Sequence, residues 1–278
     1  MRFQFRTGNL MTSGHLRFGQ LVALLVLSSL AAGCGQSTYA ERVNRTAKIY
    51  AYQNRLDQNL QPVWSRGDWG MSMRPPLRFR LMPAPPPPKT NEDGSVEVAP
   101  DTRQPSYLGV ELPGLVAAWE IPGEAFIYVC SNHQRYIDSQ GNLASGDPDT
   151  FFADLEATLQ QGFEVTIEAE PARGPAELHR KFPERIPPSD EFAPPNSFQS
   201  MRIEKTTDTK FSANVWELPA GKIQMAVILV YSPANPGNFE TAARIALETL
   251  RVEPVVPRGA ATPTTPGTPG TAPVRQAF

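Results

Sequence analysis

The chain has 278 residues, 26 basic against 28 acidic side chains for a formal net charge of −2, and 40% apolar content, so it can bury a core and carries no general field for nucleic acid. Its 29 prolines are about one residue in ten, roughly twice the usual share. With only 20 glycines a collagen repeat is excluded, as are a coiled coil and a wholly disordered acidic chain, and the length fits one domain of ordinary size plus appendages.

Residues 1–19 hold Arg2, Arg6, Arg17 and His15 with no acid, and the apolar run Leu21 to Ala32 follows. A basic flank before a short apolar run is the pattern of a secretory signal. Twelve residues fall well short of the roughly 20 that a helix needs to cross a bilayer. The run closes in Leu30-Ala31-Ala32-Gly33-Cys34, which resembles the lipobox of bacterial lipoproteins. That resemblance implies removal of residues 1–33 and a diacylglycerol thioether on Cys34, which becomes the first residue of the mature chain. It also implies a protein anchored by lipid to a bacterial membrane and facing the periplasm or the cell exterior. Gly35 stands where that family places an inner-membrane retention acid, so the outer membrane is preferred. Without the signal, 23 basic residues face 28 acidic ones, a net charge of −5. A multiply acylated terminus is effectively permanent on its membrane, because each buried methylene contributes about 0.8 kcal/mol.

Gln36 to Leu60 contains no proline or internal glycine, and Ser37 or Thr38 can cap a helix beginning near Tyr39. Ile49, Tyr52, Leu56 and Leu60 recur at three- and four-residue spacing as its apolar stripe. Arg42, Arg45 and Lys48 form a neighbouring face, read first as solvated and alternatively as a contact for anionic headgroups. Residues 34–62 are therefore a tether and helix.

The expected domain spans 63–254. Met71 and Met73 alternate with polar residues, as do Leu77, Phe79 and Leu81, predicting a short strand, a proline break and another extended piece. Residues 83–105 read as a stiff proline-rich loop. Leu115 to Ile121 and Ala125 to Ser131 are strand-like and separated by Pro122-Gly123, which predicts a hairpin. A polar loop leads to Asp147-Pro148-Asp149, a helix start, with the helix over Phe151 to Leu159 and Gly162 as its stop. Phe163, Val165 and Ile167 alternate into a strand, and prolines between Pro171 and Asn196 impose an irregular excursion, giving a second proline-rich loop over 171–198. Met201 to Thr206, Lys210 to Leu218 and Lys222 to Tyr231 complete the strands, the last two joined around Pro219-Ala220-Gly221. Ile223 to Tyr231 is apolar on both faces and should be central. Asn238 caps a helix presenting Phe239, Ala242, Ala243, Ile245, Ala246 and Leu250. The tail 255–278 lacks the apolar content to order itself. The fold class is α+β: a mainly antiparallel sheet flanked by helices, with an N-terminal helix and a disordered C-terminal tail. This order of elements, opened by Gly70-Met-Ser-Met-Arg-Pro-Pro-Leu-Arg-Phe79, is similar to the Mog1/PsbP-like α/β/α sandwich family.

No nucleophile with its base, metal set or phosphate cradle is legible in the chain. Beyond Cys34, the only cysteine is Cys130, and the only histidines are His133 and His179. Cys130 reads as a buried thiol in a strand. It pairs with His133 on a metal only if the chain turns at Ser131-Asn132, and no third ligand is in sight. Asp138, Asn142, Asp147 and Asp149 gather oxygens in one loop, but without EF-hand spacing, and turn and cap chemistry accounts for each. The reading is a noncatalytic lipoprotein of the bacterial envelope, an interaction module with an envelope protein as partner. It is not an enzyme, takes no cofactor or metal and binds no nucleic acid. The alternative is an envelope enzyme or small-ligand binder whose cleft near the 171–198 loop receives an anion on Arg173, His179, Arg180, Lys181 and Arg185.

Overall fold

The computed structural model describes residues 14–140, 146–164, 179–182, 196–204, 211–232, 234 and 237–255, with the backbone alone for 14–36, 140, 179–182 and 204. Helix α1 is Gly14–Asn59. It continues through Gly33, Cys34 and Gly35, so the helix start expected near Tyr39, with Ser37 or Thr38 as cap, is not used. The Leu- and Ala-rich residues upstream favour helix, and a cap forms only where a helix begins. Among the described residues no helix is long and apolar enough to cross a membrane. The described residues up to Arg55 belong to one compact unit, and the folded domain that begins at Leu56 is another.

Leu56 and Leu60, the last members of the expected stripe, are buried in that domain. Within the domain, the Gln61 side chain donates to the carbonyls of Pro76 and Phe79, and Arg74 donates to the Gln61 carbonyl at 2.8 Å and pairs with Asp57 at 2.8 Å.

Three short strands make a small antiparallel sheet in the order β1 (Trp64–Arg66), β2 (Met71–Met73), β12 (Arg251–Val252). Met71 and Met73 are buried as their alternation predicts. The extended reading of Leu77 to Leu81 gives way to a turn: the Phe79 amide bonds the Pro76 carbonyl, so Phe79 is buried while Leu77 and Leu81 face outward. Only β3 (Arg80–Leu81) is strand. A separate two-stranded ribbon, β4 (Lys89–Thr90) with β5 (Val96–Glu97), lies within the proline-rich segment.

The main sheet has seven strands, all antiparallel, built from β3, β6 (Leu115–Ile121), β7 (Ala125–Ser131), β8 (His179–Phe182), β9 (Asn196–Glu204), β10 (Ser212–Ala220) and β11 (Ile223–Tyr231), in the order β3-β6-β7-β11-β10-β9-β8. β11 is central, as its unbroken apolar run requires. The β6–β7 hairpin turns at Pro122-Gly123 as read from sequence. The β10–β11 hairpin turns one step later than expected, at Gly221-Lys222, with Pro219 still paired to Gln224. Gly221 supplies the positive φ of 63° at the first position of this two-residue loop.

Helix α3 (Phe151–Phe163) covers one face of the sheet: Phe151, Leu155, Leu159 and Phe163 meet Tyr128, Cys130, Val215, Ala226 and Ile228. The helix runs past Gly162 and ends on Glu164, whose φ is 52°. Gly162 serves close approach instead, because a Cβ there would lie 2.9 Å from a Val110 methyl. Phe163 is therefore the last helical residue and not the first of a strand, and the rest of that expected strand lies outside the described residues. Helix α4 (Phe239–Leu247) packs on β11, where Phe239 meets the rings of Phe79 and Tyr231. Asn238 is its N-cap position but makes no side-chain cap bond. Register assigns Val227, Leu229 and Tyr231 of β11 to the face opposite Ala226, Ile228 and Val230. Besides the β4–β5 ribbon and β12, the sequence reading did not anticipate helix α2 (His133–Gln140), too polar to show an apolar stripe, or β8, inside the expected irregular excursion. The tail from 256 onward lies outside the described residues.

Candidate functional site

The densest polar arrangement sits where β7 runs into α2. Ser131 ends β7 paired with Met225 of β11, and the Asn132 amide still bonds the Gln224 carbonyl at 3.1 Å; beyond that point side chains take the place of ladder partners. Asn132 donates to the carbonyls of Pro148 at 3.0 Å and Lys222 at 3.1 Å, and accepts the Gln224 amide at 3.0 Å. The Gln224 side chain in turn accepts the Phe152 amide at 3.1 Å and donates to the Asp149 carbonyl at 3.1 Å. Asp147 caps the turn before α3 by accepting the Asp149 amide at 2.9 Å, with Pro148 at the first helical position, as the sequence predicts. Arg135 of α2, itself buried, reaches the Asp147 carbonyl at 2.8 Å and the Asp154 carboxylate at 2.7 Å. Asn132 between β7 and α2, Gln224 of β11, Arg135 of α2 and Asp147 before α3 thus close this end of the domain.

His133 lies inside it, with no exposed surface. Ser131 Oγ donates to the Gln224 carbonyl at 3.1 Å and lies 2.6 Å from His133 Nδ1. Which atom of this pair donates depends on the ring tautomer. Nε2 makes no hydrogen bond of ordinary geometry. Trp69 stacks on the imidazole with 5.2 Å between centroids and 3° between planes, and Arg66 stacks on the outer face of Trp69 at 4.4 Å. Burial pushes the His133 pKa down to about 4, against a partial offset from the Trp69 main chain and the Asp68 carboxylate. The ring is neutral at physiological pH. A serine–histidine contact with neither group open to solvent holds structure and offers no nucleophile.

Cys130 and His133 do not form the metal pair weighed from sequence. Cys130 belongs to the core cluster under α3, whereas His133 is engaged by Ser131 and Trp69. Burial pushes the Cys130 thiol far up, so it is not a thiolate. Among the described residues no group of three or more potential ligands is placed to hold a metal ion. Asp138 accepts from Gln134 at 2.7 Å and Asp147 is a cap, while Asn142 lies outside the described residues.

A second unusual group is Glu217 of β10. Register places it opposite Ala226 of β11 and Gln199 of β9, hence on the face covered by α3. It is 2% exposed and Oε1 lacks a hydrogen-bond partner. Burial, reinforced by the nearby Glu156 carboxylate of α3, pushes its pKa up to about 8, and burial raises Glu156 as well. Glu217 is therefore mainly protonated at neutral pH. An acid on the inward phase of an apolar strand, Ala213, Val215, Glu217, was the signal in the sequence. Farther along this face the Tyr107 and Tyr128 hydroxyls meet at 2.9 Å, and burial pushes both pKa values up.

Of the residues proposed for an anion, Arg173 and Arg185 lie outside the described residues, and His179, Arg180 and Lys181 fall on β8, whose backbone alone is described. Cys34 lies within α1, also described as backbone. No protein-family model matches the chain, and no curated protein matches it.

Proposed function

We propose that this protein is a lipoprotein of the bacterial envelope, held to its membrane by a lipid on Cys34, preferentially the outer membrane, and that its α+β domain serves there as a noncatalytic interaction module. The observation that carries the reading is Leu30-Ala31-Ala32-Gly33-Cys34 at the end of a 12-residue apolar run with a basic flank. The state of the obvious reactive groups supports it. Cys130 and His133 are enclosed, and the polar network around Asn132 is spent on closing the domain. The similarity in element order to the Mog1/PsbP-like sandwich, two helices on an antiparallel sheet, bears on the fold alone. A tether confines the domain near one membrane and raises its effective concentration toward neighbours there.

The test is fractionation of wild type and Cys34→Ser with mass spectrometry of the amino terminus. Wild type is expected in the membrane fraction with an acylated Cys34, and the variant in the soluble fraction with its signal uncleaved or cleaved elsewhere. An unmodified wild-type terminus, with the variant still on the membrane, overturns the reading.

One observation favours the second reading, an envelope enzyme or small-ligand binder: a buried carboxyl held protonated beside another carboxylate is how a fold keeps a general acid charged with its proton. If Glu217→Gln abolishes function in a protein that folds and is acylated normally, that reading replaces the first.

A further inference from the structure

Helix α3 and the sheet meet across two carboxyl groups. Glu217 of β10 lies beneath the helix, 2% exposed, and its Oε1 has no hydrogen-bond partner. Burial and the Glu156 carboxylate of α3 both disfavour its charged form. Register sets Ala226 of β11 and Gln199 of β9 beside it, neither of them charged. One strand further out, β8 carries His179 opposite Gln199, with Lys181 on the same phase. Asp154 of α3 is taken up by Arg135 and Thr150, and β10 itself supplies only Val215 and Pro219 on this phase. Strands β7, β11, β10 and β9 hold one another by continuous ladders, whereas α3 is docked through side chains. Phe151, Leu155, Leu159 and Phe163 lie over Tyr128, Cys130, Val215, Ala226 and Ile228, and Gln224 and Arg135 hold the helix start. An ionised Glu217 in this interface is a buried charge beside a like charge, and it regains water as soon as the helix lifts.

We propose that Glu217 and Glu156 make the seating of α3 a proton-operated clamp: a proton on Glu217 holds the helix on the sheet, and its loss loosens the helix ahead of the rest of the domain. Acidification therefore tightens the clamp. With a folded pKa of about 8 against an ordinary 4.5, the equilibrium for lifting α3 falls about 70-fold between pH 7 and pH 5. Global unfolding responds differently, because it exposes His133 as well. His133 is enclosed by Ser131 and Trp69, neither of them on α3, and its fall from 6.5 to about 4 works in the opposite direction by about 20-fold over the same range. Global opening should thus change only about threefold, and the two events are separable.

The test is hydrogen exchange on the full chain carrying Cys34→Ser, from pH 5 to pH 7, with the rates corrected for the intrinsic chemistry of exchange. Amides of α3 should exchange faster than those of β11, and should gain about 70-fold in protection from pH 7 to pH 5 against about threefold in β11. Cys130, then the only thiol, lies on the floor beneath α3, so its modification by a dithiopyridine reagent should follow the α3 amides. Glu217→Gln should remove most of the pH dependence in α3, while β11, left with His133 alone, should lose protection at pH 5. Glu156→Gln, a half-buried change on the helix, should shrink the α3 response by removing the like charge, and it carries the test if Glu217→Gln does not fold. Exchange of α3 and β11 in step at every pH, or an α3 response that neither substitution reduces, overturns the proposal.

Discussion

His133→Phe isolates the energetic consequence of enclosing a histidine. In the native fold the imidazole has no exposed surface, and its pKa falls from 6.5 to about 4. The unfolded chain therefore binds a proton between pH 6.5 and 4 that the native state refuses, and the native state loses stability as pH falls through that window. At 1.36 kcal/mol per unit, a pH of 5 costs the wild type about 2 kcal/mol through this residue. Glu217 acts with the opposite sign. Its folded pKa of about 8 lies above the ordinary carboxyl value, so its contribution is complete below pH 4.5 and is lost as pH rises toward 8. From pH 7 to 5 it returns about 2.5 kcal/mol by the same conversion, so the two groups largely offset each other in the wild-type profile across this range. Phenylalanine keeps the ring stacked on Trp69 and leaves Ser131 its bond to the Gln224 carbonyl. At pH 7 the variant should be within about 1 kcal/mol of wild type, the worth of one hydrogen bond. Relative to wild type it should then gain about 2 kcal/mol by pH 5. Urea midpoints for both proteins at half-unit pH intervals provide the measurement. If the free-energy difference between them is the same at pH 5 and pH 7, His133 titrates normally and the enclosed site does not exist as described.

Glu217→Gln removes the opposing contribution, and its urea profile should rise above that of wild type by about 3.5 kcal/mol at pH 7.5 while matching it near pH 4.5; a uniform difference would show that Glu217 ionises freely. Gly114→Ala should destabilise by more than about 2 kcal/mol or prevent folding, because φ is 61° and the added methyl would sit 2.2 Å from the Ser131 carbonyl oxygen. A midpoint unchanged from wild type would place that turn elsewhere. Cys130 should resist alkylation in the native protein at pH 8 and react at once in urea, since burial pushes its thiol far up; rapid native labelling counted by mass would refute its burial.

The sequence alone determined whatever depends on neighbours within a few residues. The strand-like apolar runs Leu115–Ile121 and Ala125–Ser131 with Pro122-Gly123 between them specify a hairpin wherever it docks, and an apolar run on both phases marks β11 as central. Asp147-Pro148 starts a helix by supplying an acceptor and dispensing with a donor. The lipobox-like pattern of Leu30 to Cys34 is likewise local, five consecutive residues after an apolar run. Tertiary structure decided what depends on distant partners. The β8 strand owes its place to pairing with β9, and α2 owes its place to Asn132 binding loops some 90 residues away. His133 is indistinguishable from a surface histidine until Trp69, 64 residues earlier in the chain, lies over it. The same holds for Glu217, whose pKa is raised first by its burial beneath α3 and then by the Glu156 carboxylate that α3 brings near it. Enclosure is a property of three dimensions: a residue's periodicity shows which way it points, but only the elements packed above it determine whether water can follow.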